Sequence, residues 1–212
     1  MSDTIELRVF HLLCAKLCHD LVSPVGAVSN GVELLQDMGP DDAGEILGLI
    51  VDSSGKASDR LKFYRVAYGL AADSVRSDAE AKELASGMMA GHGITLDWQL
   101  DPVMVTPLSQ NAVKLLLNML LLAAETLARG GTISVRLTDD AESQRLDVEA
   151  TGQDADLSEE AKAGLKGDAD VAEMTPRNVQ GYFTACYARS FGGSLAFSES
   201  ENRVTLSSTI SL

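Results

Sequence analysis

Apolar residues recur along the first seventy positions in steps of mostly three and four. They run Phe10, Leu13, Leu17, Leu21, Val25, Val28, Val32 and Leu35, and then Ile46, Ile50, Ala57, Leu61, Tyr64 and Tyr68. That spacing draws one apolar stripe down each of two helices. Between them, Met38-Gly39-Pro40-Asp41-Asp42 supplies a breaker pair and then capping acids, which end one helix and begin the next. Residues 1–72 are therefore expected to form a helical hairpin, its first helix running from Glu6 to about Asp37. Two helices alone cannot bury both stripes. The most economical solution pairs the hairpin with a copy of itself about a two-fold axis, giving a four-helix bundle and a homodimer.

The pattern changes after a short polar stretch at 71–78, which reads as a linker. A second domain at 79–212 is predicted to hold a helix at 79–89, a strand at 94–100 and a long helix at 109–128 closed by Gly130-Gly131. Strands at 132–137 and 145–150 follow, then a polar stretch without an element to Thr175. A helix at 177–191, ended by Gly192-Gly193, and two closing strands complete it. Helices and strands mix without a regular βαβ repeat, so the fold class is α+β: a hairpin followed by an α/β sandwich whose sheet carries helices on one face.

The bulk properties narrow the function. A formal net charge of −14, with 31 acidic against 17 basic residues, disfavours nucleic acid and anionic membranes as partners. Three cysteines make no disulfide framework and no zinc set. The opening MSDTIELRVF lacks the basic and then apolar run of an export signal. The most apolar stretch, Leu115 to Ala124, falls well short of the ~20 residues of a spanning helix. A soluble, cytoplasmic protein is expected.

At about 100° per residue, His19 lies on the side of the first helix opposite Phe10 and points at solvent. An isolated surface histidine is usually nothing more, but this one has a particular neighbourhood. Asp20 can accept a hydrogen bond from the imidazole and fix the tautomer in which the other nitrogen is nucleophilic. Ser23 and Gly26, one and two turns on, leave little bulk to obstruct a docking partner. Pro24 sits inside a helical pattern at a cost of roughly 3 kcal/mol, which asks for a reason.

The run His19-Asp20-Leu21-Val22-Ser23-Pro24 resembles the phosphoacceptor box of the two-component histidine kinases, a histidine with an acidic neighbour and a proline five residues on. In that family the box lies on the first helix of a dimerising hairpin, followed by an ATP-binding domain of the histidine kinase/Hsp90 type. The segment Lys114 to Leu137 is similar to the helix and strand that carry the family's asparagine box, but the magnesium-binding asparagine would fall at Leu122. The adenine-reading acid would fall at Ala150, and the glycine-rich phosphate loop near Asn178-Val179-Gln180-Gly181. The nucleotide ligands are missing. A kinase-like hairpin joined to such a degenerate domain resembles the ChpT histidine phosphotransferases of alphaproteobacteria over essentially the whole chain, most specifically in LCHDLVSP, FYRVAYG and AGLKG.

That resemblance implies a phosphorelay protein. It would take a phosphoryl group from the receiver domain of a hybrid histidine kinase onto His19 and pass it to the aspartate of a response-regulator receiver, such as that of a cell-cycle transcription factor. No ATP and no metal of its own are implied, Mg2+ being held by the receiver. Lys56, Arg60, Lys62 and Arg65 offer a basic exception on an acidic chain, and Lys56 and Arg60, one turn apart, are candidate docking residues together with Ser23 and Gly26. The alternative for these cations is ordinary solvated charge. His11 and His92 lack the acid and the proline and read as incidental, Cys14 and Cys18 as packed thiols, and Trp98 and Tyr182 as core. Two other functions stay open at this point: an ATP-dependent sensor kinase core and a non-catalytic receiver-binding dimer.

Overall fold

The computed structural model describes residues 6–37, 43–69, 75, 77–100, 107–139, 142–167 and 169–211. The expected turn at 38–42 and most of the expected linker lie outside them.

Helix α1 (Leu7–Asp37) and helix α2 (Ala43–Ala67) form the hairpin. The face that α1 buries within the chain overlaps the apolar stripe only at Leu13. It carries Val9, Leu13, Pro24 and Gly31, centred roughly 70° round the helix from the stripe at about 100° per residue. Gly31 explains the displacement, because a Cβ there would stand 2.6 Å from Ile50 Cγ1. Close approach of the two helices selects a small residue there, and Phe10, Val25 and Val32 of the stripe are turned outward. Phe10, Val22, Val25 and Val32 on α1 and Leu47, Leu49, Val51 and Leu61 on α2 are all exposed. By length and composition alone α1 is also apolar enough to cross a membrane, which the sequence reading missed by looking only at Leu115 to Ala124.

The second part holds α3 (Asp78–Met89), β1 (Ile94–Leu100), α4 (Gln110–Glu125), β2 (Gly131–Asp139) and β3 (Ser143–Thr151). It continues with α5 (Glu159–Lys166), a 3-10 turn at Val171–Glu173, α6 (Val179–Ser190), β4 (Ser194–Ser200) and β5 (Arg203–Ser211). The sheet order is β1-β2-β3-β5-β4, with β1 parallel to β2 and the rest antiparallel. Strict alternation along β2, β3 and β5 sends Ile133, Val135, Leu137, Leu146, Val148, Ala150, Val204 and Leu206 to the covered face. Ser134, Arg136, Arg145, Asp147, Glu149, Thr205 and Ser207 line the open one. Helix α4 is apolar almost all round and correspondingly buried.

The polar stretch expected to lack an element contains α5. Its eight residues, EEAKAGLK, span little more than two turns, too short for a stripe to emerge from sequence. Caps define it instead: the Ser158 hydroxyl accepts from the Ala161 amide, and Gly167 closes it at φ +67°.

Hairpin and sandwich share packing. Phe63, Tyr64, Val66 and Ala67 at the end of α2 belong to the same core as α4 and the sheet, while Val9 and Leu13 of α1 pack with Met174, Val179 and Phe183. An aromatic ladder runs from Tyr64 through Tyr68, Phe183 and Tyr187 to Phe191, with ring centroids 4.5 to 5.6 Å apart. Trp98 and Tyr182 are half-buried at the margins of the two clusters rather than central to them.

Candidate functional site

His19 projects from α1 with 89% of its side chain exposed, whereas the Asp20 side chain is only 25% exposed. One residue is about 100° of helix, so the pair divides its duties: the imidazole faces solvent and the carboxylate faces α2. Asp20 Oδ1 stands 3.3 Å from His19 Nδ1. With the Nδ1–H donating to that carboxylate, the lone pair of His19 is on Nε2, at the exposed edge of the ring.

The other carboxylate oxygen is held from α2. Tyr64 donates its hydroxyl to Asp20 Oδ2 at 2.5 Å. Burial above all, and then this bond to an anionic acceptor, hold the Tyr64 hydroxyl well above the ordinary phenol range. It remains a donor.

Pro24 acts on the same residue. It is buried within an unbroken helix and has no N–H, so the carbonyl four residues before it loses its helical donor. That carbonyl belongs to Asp20. Arg60, one turn before Tyr64, supplies the missing donor through Nη1, and its Nη2 lies 3.4 Å from His92 Nε2. Arg60 was expected beside Lys56 as a docking cation; its guanidinium is instead engaged within the chain, between Asp20 and His92. His92, read from sequence as incidental, borders the site for the same reason.

The remaining expected residues fall as follows. Ser23 and Lys56 are exposed, and Gly26 has open space where a Cβ would stand, so the surface around His19 is low. Lys62 pairs with Asp59 at 3.0 Å, and Arg65 is exposed. Cys14, Cys18 and Cys186 are free thiols, and His11 is exposed beside Phe10.

The positions at which a nucleotide would need ligands are buried and otherwise occupied. Leu122 is 2% exposed and Ala150 fully buried, and neither has a side-chain donor or acceptor. Gln180 belongs to a closed network: its amide donates to Asn118 Oδ1 at 2.9 Å, and its carbonyl accepts from the Tyr68 hydroxyl. Asn118 in turn donates to the carbonyls of Ala67 and Lys114, both at 2.9 Å. Gln180 and Asn118 thus tie the end of α2 to α4 and α6. A cleft of about 400 Å³ persists beside Leu122, Thr126, Asp156 and Arg177, with Lys16 and Glu125 paired at its edge at 2.6 Å. At the kinase positions Leu122 and Ala150 bring no polar side-chain atom, and Gln180 is already engaged.

Comparison with known proteins gives the family. Residues 78–203 match the family of the histidine phosphotransferase C-terminal domain. The chain is 34% identical over 183 residues to the protein phosphotransferase ChpT of Brucella abortus (strain 2308), covering 85% of each. Among solved structures it is similar to a bacterial phosphotransferase, with a TM-score of 0.81 and 30% identity over 97% of this chain and 98% of that one. The histidine kinase AdeS of Acinetobacter baumannii is similar at 12% identity and a TM-score of 0.49, over 91% of this chain and 97% of the kinase chain.

Proposed function

We propose, from the premise that this chain belongs to the ChpT-like histidine phosphotransferase family, that His19 is the residue that carries the phosphoryl group in a phosphorelay. Nε2 of neutral His19 attacks the phosphorus of an aspartyl phosphate in line. The P–N bond forms as the P–O bond to the donor carboxylate breaks, and Asp20 balances the charge that develops on the ring through Nδ1–H. The reverse step on a second receiver returns the phosphoryl group to an aspartate. The observation that carries this reading is the division within one dipeptide: a histidine 89% exposed, its Nδ1 3.3 Å from a neighbouring carboxylate fixed to the opposite helix.

The donor is the receiver domain of a hybrid kinase and the acceptor that of a response regulator, each bringing its own Mg2+. Leu122, Ala150 and Gln180 support a protein without autokinase activity. Among the described residues the large exposed hydrophobics all lie on α1 and α2, which supports a homodimer joined through the hairpin in a four-helix bundle. Burial of α1's apolar stripe in that bundle also suits a cytoplasmic protein better than a membrane span does.

The test is transfer of label. A receiver domain charged with radiolabelled acetyl phosphate should pass label to the wild type and not to His19→Ala, while incubation with labelled ATP alone should leave the protein unlabelled. Label from ATP on His19 would instead make the protein a kinase, and receiver binding without any transfer would make it a non-catalytic partner.

A further inference from the structure

Tyr64 and Arg60 stand one turn apart on α2 and both reach across to a single residue of α1. Arg60 takes the Asp20 carbonyl that Pro24 leaves without a helical donor, and Tyr64 takes Asp20 Oδ2 at 2.5 Å. Asp20 is thus fixed at its backbone and at its carboxylate, and one oxygen, Oδ1, remains to face His19 Nδ1. We propose that Tyr64 is a positioning residue for phosphotransfer: it locks the Asp20 carboxylate in the rotamer that holds the proton of His19 on Nδ1 and leaves Nε2 free to attack.

This inference rests on the assignment of His19 as phosphoacceptor. A carboxylate on a helix surface rotates about χ1 and χ2, and only some of its rotamers turn an oxygen to the imidazole of the preceding residue. Among the described residues no α1 side chain other than His19 bonds that carboxylate, whereas Tyr64 is buried, its ring edge-on to Phe63 and tilted against Tyr68. A rigid ring with one polar atom is suited to the task. Burial keeps that hydroxyl protonated, so it stays a donor. Arg60 contributes at the main chain, where its guanidinium replaces the N–H that a non-proline residue at position 24 would have given.

The experiment uses the full chain with Tyr64→Phe, which keeps the ring packing and removes one oxygen from a carboxylate that water can reach. Tyr68→Phe is the control. It also deletes a buried hydroxyl from the same ladder, but one bonded to Gln180 rather than to Asp20. Two quantities are read: single-turnover transfer from a charged receiver domain over a range of receiver concentrations, and the 15N shifts of the His19 ring by NMR without any receiver. For Tyr64→Phe the maximal rate should fall on the order of tenfold, the weight of one charge-assisted hydrogen bond. The half-saturating receiver concentration should stay unchanged, and the 15N shifts should move from the Nδ1–H form toward a mixture of tautomers. Tyr68→Phe should leave rate and shifts as in the wild type. An unchanged tautomer in Tyr64→Phe, or a loss confined to receiver affinity, overturns the positioning role. A wild type that accepts no phosphoryl group overturns the functional reading instead, and the ring shifts still decide the role of Tyr64.

Discussion

Replacing Asn118 with Ala is a severe test of how the hairpin is joined to the sandwich. Asn118 is fully buried on α4 and links three elements: it caps the Ala67 carbonyl at the end of α2, accepts from Gln180 of α6 and returns to its own helix at Lys114. In Asn118→Ala the Ala67 carbonyl is left buried without this donor, which costs about 1–3 kcal/mol. Gln180 keeps Thr184 at 3.3 Å but loses its better partner, at about 1 kcal/mol, and the space vacated by the amide adds about as much again. Together these come to about 4 kcal/mol. For a chain of this length each kcal/mol shifts Tm by about 2–4 °C, so the melting point should fall by roughly 8–16 °C, read by circular dichroism with a urea titration as a second measure. Phosphotransfer measured well below the new Tm should be nearly intact, because His19, Asp20 and Tyr64 lie outside this network. A fall of under ~3 °C would refute the reasoning, since the buried carbonyl would then have found another partner at no cost. Loss of transfer in a folded Asn118→Ala protein would show that the network serves the site and not only the join.

Two further outcomes follow from other parts of the molecule. Val51 is 70% exposed on α2, and Val51→Asp places a charge on the face that the bundle would bury; light scattering at micromolar concentration should find a monomer, and an unchanged dimer mass would place the interface elsewhere. Glu199 bridges Lys162 and the Leu157 amide. The Lys162 ammonium, as hydrogen-bond partner, holds the Glu199 carboxyl below the usual carboxylate range, and Lys162 is itself pushed up to about 12. The stabilisation from Glu199 is therefore present above its unfolded pKa and lost as pH falls through the lower folded value, while that from Lys162 is lost only as pH rises toward 12. Glu199→Gln should accordingly lower Tm at neutral pH, with the gap to wild type closing in acid; a gap independent of pH would contradict the ion pair.

The hairpin was legible because α1 and α2 hold their periods for 31 and 25 residues, long enough for a face to emerge from the pattern. Which face meets which neighbour was not legible. On α1 the buried face runs through Pro24 and Gly31, residues that carry no hydrophobic signal, and Phe10, Val25 and Val32 of the stripe are left for another surface. Strands β1 to β3 were readable to within two residues, and β4 and β5 were expected without bounds, while α5 was hidden because its definition lies in its caps. At the site, His19, Asp20 and the low surface at Ser23 and Gly26 could be read directly. Tyr64 could not, since its period places it in an apolar stripe and nothing local shows that its hydroxyl meets a carboxylate 44 residues away. The role of Arg60 left a faint trace: Pro24 stands four residues after Asp20, so the carbonyl it frees could be named from sequence, though not the side chain that would take it. Gln180, in the stretch where a phosphate loop would fall, bonds Asn118 and Tyr68 instead, and sequence could show only that the ligands were missing.

The central claim is that Nε2 of His19 receives the phosphoryl group from another protein. It is met most directly by charging the wild type from a phosphorylated receiver domain and examining the product by 31P and 15N NMR. The account predicts one new P–N linkage, on Nε2 of His19, absent from His19→Ala. A phosphoryl group on Nδ1, on another residue, or arriving only when ATP is supplied would contradict it.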